Sequence, residues 1–259
     1  MDALLELTEL DGGAGGKARG LARLAALGLP VPRALVLPAD AYRRWRERGA
    51  LADGDRESLA SALARLGTPL AVRSSAADED ASDRSAAGQY ESVMGVETLP
   101  ALLSAVETCF RAAEGERAVA YRGERDVALA LVLQREVRAT RAGVAFSVDP
   151  LAGEDRRVLV EAVFGHGERL VAGLVDPDRY WVDREGGDVR ARIAAKEDVT
   201  PARRFARTLR DDEARSLAAL VLRAEEGFGR PVDVEFCFEG PRPWLVQCRP
   251  ITTLDDRAR

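Results

Sequence analysis

Two carboxylates, an amide and a guanidinium stand at two-residue spacing near the carboxyl end of this 259-residue chain. Asp233 and Glu235 belong to one largely apolar run, and Gln247 and Arg249 belong to the next. Mg²⁺ takes oxygen ligands, and a guanidinium grips phosphate through two parallel hydrogen bonds. These side chains could therefore hold a metal–nucleotide, although a cross-strand ion pair on an exposed sheet fits them equally well.

A β-hairpin is predicted to position these side chains, because two alternating runs flank a Gly-Pro pair. Alternate residues of a strand share a face, so Asp233 and Glu235 point away from the apolar residues of their strand. Those apolar residues are Val232, Val234, Phe236 and Phe238. A three-residue turn would place Glu235 opposite Gln247 and Asp233 opposite Arg249. The return strand would then carry Leu245, Gln247 and Arg249 on one face.

Three further segments contain residues suited to phosphate. Lys17 ends a glycine-rich stretch that opens a predicted helix, where backbone N–H groups favour an anion. The spacing is not that of a P-loop, and a flexible loop fits it as well. Arg73 follows a short buried strand, where it would reach phosphate or form a surface salt bridge. The small residues of 85–89 would close over phosphates or form an exposed loop.

Two other positions have weaker signals. Gln134 and Glu136 follow an apolar strand, and this strand end could offer polar groups to an adenine edge, although an ordinary strand end has the same spacing. His166 is the only histidine and lies between two glycines. We expect it to be exposed or structural rather than catalytic, since no acid stands at a fixed spacing from it.

Composition narrows the class of protein. The chain is 46% hydrophobic and 31% charged, and its net charge of -5 argues against a nucleic-acid partner. No apolar run reaches the length of a membrane span, so no membrane partner is expected. The cysteines lack metal-binding spacing, and Cys237 and Cys248 fall on opposite hairpin faces. We expect buried free thiols in a reducing, cytoplasmic location.

The order of elements predicts an α+β chain in two lobes, residues 1–133 and 134–259. Helices dominate the first lobe and strands the second. Helices are predicted at 18–27, 40–48, 55–66, 99–113 and 211–226. Strands are predicted at 34–37, 70–72, 127–134, 142–148, 158–163 and 180–183, followed by the hairpin.

Taken in order, several short motifs resemble the ATP-binding domain shared by phosphoenolpyruvate synthase, pyruvate phosphate dikinase and rifampin phosphotransferase. The motifs comprise residues 15–17 with 28–32, 72–76 with 79–80 and 85–89, 143–150, 161–168, 177–180 and 247–252. The resemblance covers essentially the whole chain. It implies an ATP-grasp fold of two lobes with the nucleotide bound between them.

The resemblance also implies a role for particular residues. Lys17, Arg73 and Arg249 should bind ATP phosphates and neutralise charge on the transferring phosphoryl group. The phosphate-covering loop should contain Ser85, Gly88 and Gln89. The adenine should lie along Gln134, Glu136 and Val137. Glu235 and Gln247 should ligate Mg²⁺, so ATP and Mg²⁺ are the expected cofactors.

Members of this family pass the phosphoryl group to a histidine on a separate swivelling domain. No segment of this sequence resembles that domain. We therefore expect the acceptor to be a separate phosphohistidine-domain protein or domain. Two alternatives remain. One is a free-standing kinase or ligase that acts directly on a small molecule, and the other is a regulatory module that binds ATP without turnover.

Overall fold

The computed structural model describes residues 4–10, 14–76, 92–115, 128–150, 156–196, 200 and 204–251. The chain divides into two compact units. The first consists of Met1–Ala22 and Pro32–Glu136, and the second of Arg23–Val31 and Val137–Arg259. The boundary expected at 133/134 falls inside a strand, Leu129–Arg135, which pairs with its sheet along its whole length.

The first unit contains a five-stranded antiparallel sheet within the described residues. Its elements are β1 (Leu5–Glu6), α1 (Gly15–Ala26, whose last residues count with the second unit), β2 (Ala34–Leu37), α2 (Ala39–Arg48), α3 (Asp53–Leu66), β3 (Leu70–Ala76), β4 (Ser92–Val96), α4 (Leu99–Ala113) and β5 (Leu129–Arg135). The strand order is β1-β2-β5-β3-β4. Strand β2 and helix α4 have the bounds predicted from the sequence.

One face of this sheet carries the core of the first unit. In β3, Leu70, Val72 and Ala76 join the buried cluster formed with α2, α3 and α4. Because strand residues alternate between faces, Arg73 and Ser75 lie on the opposite face. The sheet thus keeps one face for packing and presents polar groups on the other.

The second unit contains a six-stranded antiparallel sheet within the described residues. Its elements are β6 (Arg141–Phe146), β7 (Arg157–Phe164), α5 (Glu168–Val171), β8 (Asp178–Asp183), β9 (Val189–Arg192), α6 (Asp211–Phe228), β10 (Val232–Glu239) and β11 (Arg242–Pro250). The strand order is β11-β10-β6-β7-β8-β9, and α6 packs on one face to form the core. In the described part of the chain, no helix has the length and apolarity needed to cross a membrane.

The hairpin β10–β11 has the predicted pairs but not the predicted turn. Glu235 pairs with Gln247 and Asp233 with Arg249, as expected. The turn at Gly240, however, is one residue shorter than predicted. A β-bulge next to Glu235 restores the register, because it inserts one extra residue into β11.

The bulge also turns Leu245 into the core. Leu245 pairs with Phe236 and is fully buried in the cluster packed under α6. The expectation that Leu245 shares a face with Gln247 and Arg249 is therefore wrong. The extra residue shifts the alternation by one, so the apolar side chain packs inward while the polar ones stay on the other face.

The cysteines match their predicted state. Cys109, Cys237 and Cys248 are all buried and free. Burial, with the nearby charge of Asp233, raises the pKa of the Cys248 thiol to about 12. A thiol with so high a pKa is a packing group and not a nucleophile.

A buried ion pair fixes the outer part of the second sheet. Asp178, fully buried at the start of β8, accepts hydrogen bonds from Lys196 Nζ and Thr208 Oγ1, both at 2.7 Å, and from Ala194 N at 2.9 Å. A buried carboxylate needs such donors to offset its lost hydration. Lys196 therefore has a structural role, which distinguishes it from Lys17, the other lysine of the chain.

The close packing of β6 against β7 gives a stability prediction. A Cβ at Gly143 would lie 1.9 Å from the backbone O of Glu161 and 2.9 Å from Phe236 Cζ. We expect Gly143→Ala to lower the free energy of unfolding by about 2–4 kcal/mol in denaturant titrations, because the paired backbone of β7 cannot move away from the new Cβ. Gly186→Ala is the matched control, since its nearest atom is Asp183 Oδ1 at 3.6 Å. Equal stabilities of the two variants would contradict this packing.

Candidate functional site

Two of the predicted side chains lie together on the first unit. Arg73 of β3 and Gln134 of β5 both point away from the core, since their neighbours along each strand face into it. Gln134 pairs with Ala71, and Arg73 pairs with Val132. Arg73 and Gln134 are therefore diagonal cross-strand neighbours on one face, within reach of long side chains.

The first turn of α1 is tied to the same face. The hydroxyl of Ser75 accepts a hydrogen bond from Ala18 N at 3.1 Å and donates one to Ala14 O at 2.8 Å. Gly15 permits this close approach: its φ is +76°, and a Cβ there would lie 2.2 Å from Ser75 O. The described part of the glycine-rich stretch, residues 14–17, is thus a docked helix start.

This docking holds Lys17 beside the polar end of β3. Lys17 is half-buried, and its Nζ donates to Ser74 O at 2.9 Å. Ser74 directly follows Arg73, so the ammonium is bonded to the backbone next to the second cation. A helix start with a lysine and an arginine suits an anion such as phosphate.

The residues predicted to lie along adenine have different surroundings. Gln134 is only 3% exposed, and its Nε2 has no hydrogen-bond partner among the described residues. The carboxylate of Glu136 accepts a hydrogen bond from Gly95 N of β4 at 2.5 Å. Val137 belongs to the second unit, where its O accepts from Ala139 N at 2.7 Å. Buried polar groups are nearly always paired, so the amide of Gln134 suits a ligand acceptor.

The predicted phosphate-covering loop lies outside the described residues. It contains Ser85, Gly88 and Gln89 and connects β3 with β4. Its role stays a prediction, as does the adenine contact of the three residues above.

The single histidine lies in the turn after β7. His166 is exposed, between Gly165, with φ +76°, and Gly167, which precedes α5. His166 is thus exposed, as expected, and its lack of a catalytic role stays a prediction.

The second unit carries the predicted metal pair on the face opposite α6. Glu235 is half-buried, and Gln247, directly across the hairpin, is 8% exposed. The Oε1 atom of Gln247 is buried without a hydrogen-bond partner in the described structure. A carboxylate and an unpaired amide oxygen are oxygen donors of the kind that Mg²⁺ requires.

This pair is too small a ligand set to hold a metal alone. Among the described residues, no group of three or more His, Cys, Asp or Glu side chains could hold an ion. Mg²⁺ in nucleotide sites is commonly held by one or two protein ligands together with substrate phosphates. Glu235 and Gln247 therefore fit Mg²⁺ that arrives with a nucleotide.

An ion pair follows the metal pair along the same face. Arg249 Nε donates to Asp233 Oδ2 at 2.9 Å, and 45% of the Arg249 side chain is exposed. Asp233 is buried, and burial raises the pKa of its carboxyl group while Arg249 opposes the shift. The guanidinium is thus oriented one cross-strand pair beyond Glu235 and Gln247.

The sequence prediction missed a second ion pair on this face. Glu161 of β7 pairs with Val144 of β6, and Val144 in turn pairs with Glu235 of β10. Glu161 also accepts a hydrogen bond from Arg179 Nε of β8 at 2.7 Å. Two strand spacings separate the two glutamates, about 9–10 Å. The one available signal was Glu161 itself, the single charge within the apolar run 158–163.

With this geometry in place, comparisons with known proteins identify the family. The pyruvate phosphate dikinase AMP/ATP-binding domain family matches residues 55–259. The match covers most of the sequence, so this chain belongs to that family. The α+β, ATP-grasp-like class predicted from the sequence is confirmed, while the position of the nucleotide stays a prediction.

Relatives of known name are much longer than this chain. A probable phosphoenolpyruvate synthase from Methanocaldococcus jannaschii is 31% identical, over 93% of this chain and 26% of that protein. A rifampicin phosphotransferase from a Streptomyces species is 36% identical, over 93% of this chain and 34% of that protein. The chain thus spans about a quarter to a third of the length of these relatives.

Solved structures are more distant. A D-alanine–D-alanine ligase from Bacillus anthracis aligns with a TM-score of 0.47 and 11% identity, over 92% of this chain and 57% of that chain. A similarity of this strength supports no argument about function.

The docking of α1 gives a prediction for the first unit. We expect Gly15→Ala to lower the free energy of unfolding by about 2–4 kcal/mol, because the new Cβ meets backbone at a positive φ. Gly54→Ala in α3 is the matched control, with open space around its Cβ. Denaturant titration measures both variants. A Gly15→Ala protein as stable as the control would refute the docking.

The raised pKa of Asp233 gives a pH prediction. The folded carboxyl group holds its proton more tightly than the unfolded one, so its contribution to stability falls as pH rises from about 4 towards the raised pKa. The stability of wild type minus Asp233→Asn should decline over that range. Backbone hydrogen bonds from Gly186 and Glu185 lower the pKa of Asp183. The stability of wild type minus Asp183→Asn should therefore rise with pH in the range below about 4. A fall there, or a rise for Asp233 above about 4, would contradict these assignments.

Proposed function

We propose that this chain binds Mg-ATP and transfers a phosphoryl group from it to a histidine on a phosphohistidine domain or partner protein. The observation that carries the proposal is the pair of Glu235 and Gln247. A half-buried carboxylate stands opposite an amide oxygen that is buried without a partner in the described structure. In an AMP/ATP-binding domain, these atoms are suited to a metal that accompanies the nucleotide.

Glu235 and Gln247 would hold Mg²⁺ through their oxygen atoms. Held there, Mg²⁺ would supply neutralisation of phosphate charge. Arg249 lies one cross-strand pair further along the same face and would bind phosphate oxygens. Its Nε–Asp233 hydrogen bond orients the planar guanidinium, so less side-chain entropy is lost when phosphate binds.

Lys17 and Arg73 would bind phosphate on the first unit. Phosphoryl transfer spreads negative charge over the oxygens of the transferred group. Cations that are already in position stabilise this charge without reorganisation during the reaction. The hydrogen bond from Lys17 to Ser74 O and the docking of Gly15 against Ser75 provide such pre-organisation.

The length of the relatives supports a histidine acceptor outside this segment. The chain corresponds to about a quarter to a third of each relative, which leaves room there for further domains. The names of these relatives describe a synthase and a phosphotransferase. Both names fit a reaction in which a phosphoryl group leaves the ATP-binding domain and reaches its final acceptor elsewhere.

Chromatography of the nucleotides after incubation with Mg-ATP tests the proposal. AMP and inorganic phosphate formed only when a phosphohistidine-domain protein is added, with acid-labile phosphate on that protein, would support the relay, because one of the two phosphoryl groups lost by ATP then reaches the histidine and the other reaches water. ADP formed with a small-molecule acceptor and no partner would indicate a free-standing kinase. Binding without turnover under every condition would indicate a regulatory module, and absence of ATP binding would overturn the proposal.

The metal pair gives the matching mutational prediction. We expect Glu235→Gln to lower Mg²⁺-dependent ATP turnover by about a hundredfold or more, because both predicted protein ligands are then neutral. Glu185→Gln makes the same change on an exposed turn of the same unit and should leave turnover unchanged. Circular dichroism checks that both variants fold. Turnover retained by Glu235→Gln would refute the hairpin as the metal site.

A further inference from the structure

The polar face of the hairpin continues past the metal pair towards the turn. One row beyond Glu235 and Gln247, Cys237 pairs with Trp244 on the same face. The bulge determines this placement: Leu245 fills the core, so Trp244 lies on the face of the polar side chains. Cys237 and Trp244 do not belong to the residues predicted to bind the nucleotide.

Trp244 carries a hydrogen-bond donor that the described structure does not use. Its indole Nε1 is shielded from solvent and has no partner there, although the side chain as a whole is half-buried. The guanidinium of Arg242 lies over the indole, 3.8 Å from the ring centroid. This cation–π contact holds one side of the ring and fixes the direction of the N–H.

The position of this row relates Trp244 to the segment predicted to lie along adenine. Thr140 donates to Phe238 O from its backbone N at 2.9 Å and from Oγ1 at 3.1 Å. Phe238 adjoins Cys237, so the segment that starts at Val137 enters the sheet next to the Cys237–Trp244 row. In the second unit, this row therefore lies between that segment and the metal pair.

A buried indole N–H without a partner is not sufficient evidence on its own. Trp45 has the same feature, yet it belongs to the core of the first unit, where it packs with Tyr42 and Phe110. What distinguishes Trp244 is its place on the polar face of the second unit, between the segment that starts at Val137 and the metal pair. A rigid ring with one donor suits a nucleoside, which offers both an apolar surface and oxygen or nitrogen acceptors.

We propose that Trp244 binds the nucleoside part of ATP, with the indole Nε1 donating to a nucleoside acceptor and Arg242 holding the ring in place. The inference rests on the proposed ATP binding. It assigns the Cys237–Trp244 row to the base and ribose, and it leaves the phosphates to Arg249. Trp244 would thus contribute to selectivity for a nucleotide over a bare polyphosphate.

Two probes separate this proposal from the proposed function. The chain is titrated by calorimetry with Mg-ATP and with Mg-tripolyphosphate, which lacks the nucleoside. Trp244→Phe keeps an aromatic ring and removes the donor, so ATP should bind about fivefold to tenfold more weakly while tripolyphosphate binding is unchanged. Trp45→Phe is the matched control, because it removes the same kind of unpaired donor from the core, and it should change neither affinity.

The possible outcomes distinguish failure of the proposed function from failure of the proposed role of Trp244. Wild-type protein that does not bind ATP would refute the proposed function, whatever the variants do. ATP binding that is equal in wild type and Trp244→Phe, or an equal loss for both probes, would overturn the role of Trp244. A variant with Trp45→Phe and Trp181→Phe leaves Trp244 as the only tryptophan. Its fluorescence should respond to ATP and not to tripolyphosphate, and an unresponsive signal would also overturn the proposal.

Discussion

The register of the β10–β11 hairpin is the constraint on which the candidate site depends. A single extra residue in β11 lets Leu245 enter the core while Gln247 and Arg249 stay opposite Glu235 and Asp233. Without the bulge, a two-residue turn would pair each of these polar residues with the wrong partner. Burial of the apolar face thus determines which carboxylate meets which donor.

In both units, the two faces of the sheet have different roles. Each sheet packs one face against helices and carries its candidate site residues on the other face. On the first unit, the face opposite the helical core receives the start of α1 through Ser75, and a residue without a Cβ at position 15 is needed for that contact. Within each unit, the predicted residues suit one part of a metal–nucleotide: the cations near the helix start suit phosphate, and the carboxylate and amide of the hairpin suit the metal.

Unpaired buried groups mark these faces. Gln134 Nε2 and Gln247 Oε1 have no hydrogen-bond partner in the described structure, although both side chains are almost fully buried. Each such group costs folding about 1–3 kcal/mol, which the apolar clusters must offset. A ligand that satisfies these groups recovers that free energy on binding. Folding stability is thereby lower, and ligand affinity higher, at positions that the sequence alone predicted as candidate site residues.

The sequence by itself determined the α+β class, most element positions and the partners within the hairpin, because alternation and turn residues are local signals. It also determined Lys17 and Arg73 as candidate cations. Only the tertiary structure decided that Leu245 packs inward, because a bulge shifts alternation in a way that composition does not reveal. Likewise, the pairing of four strands brings Glu161 into contact with Arg179 and onto the same face as Glu235. This pairing is set by packing between residues distant in sequence.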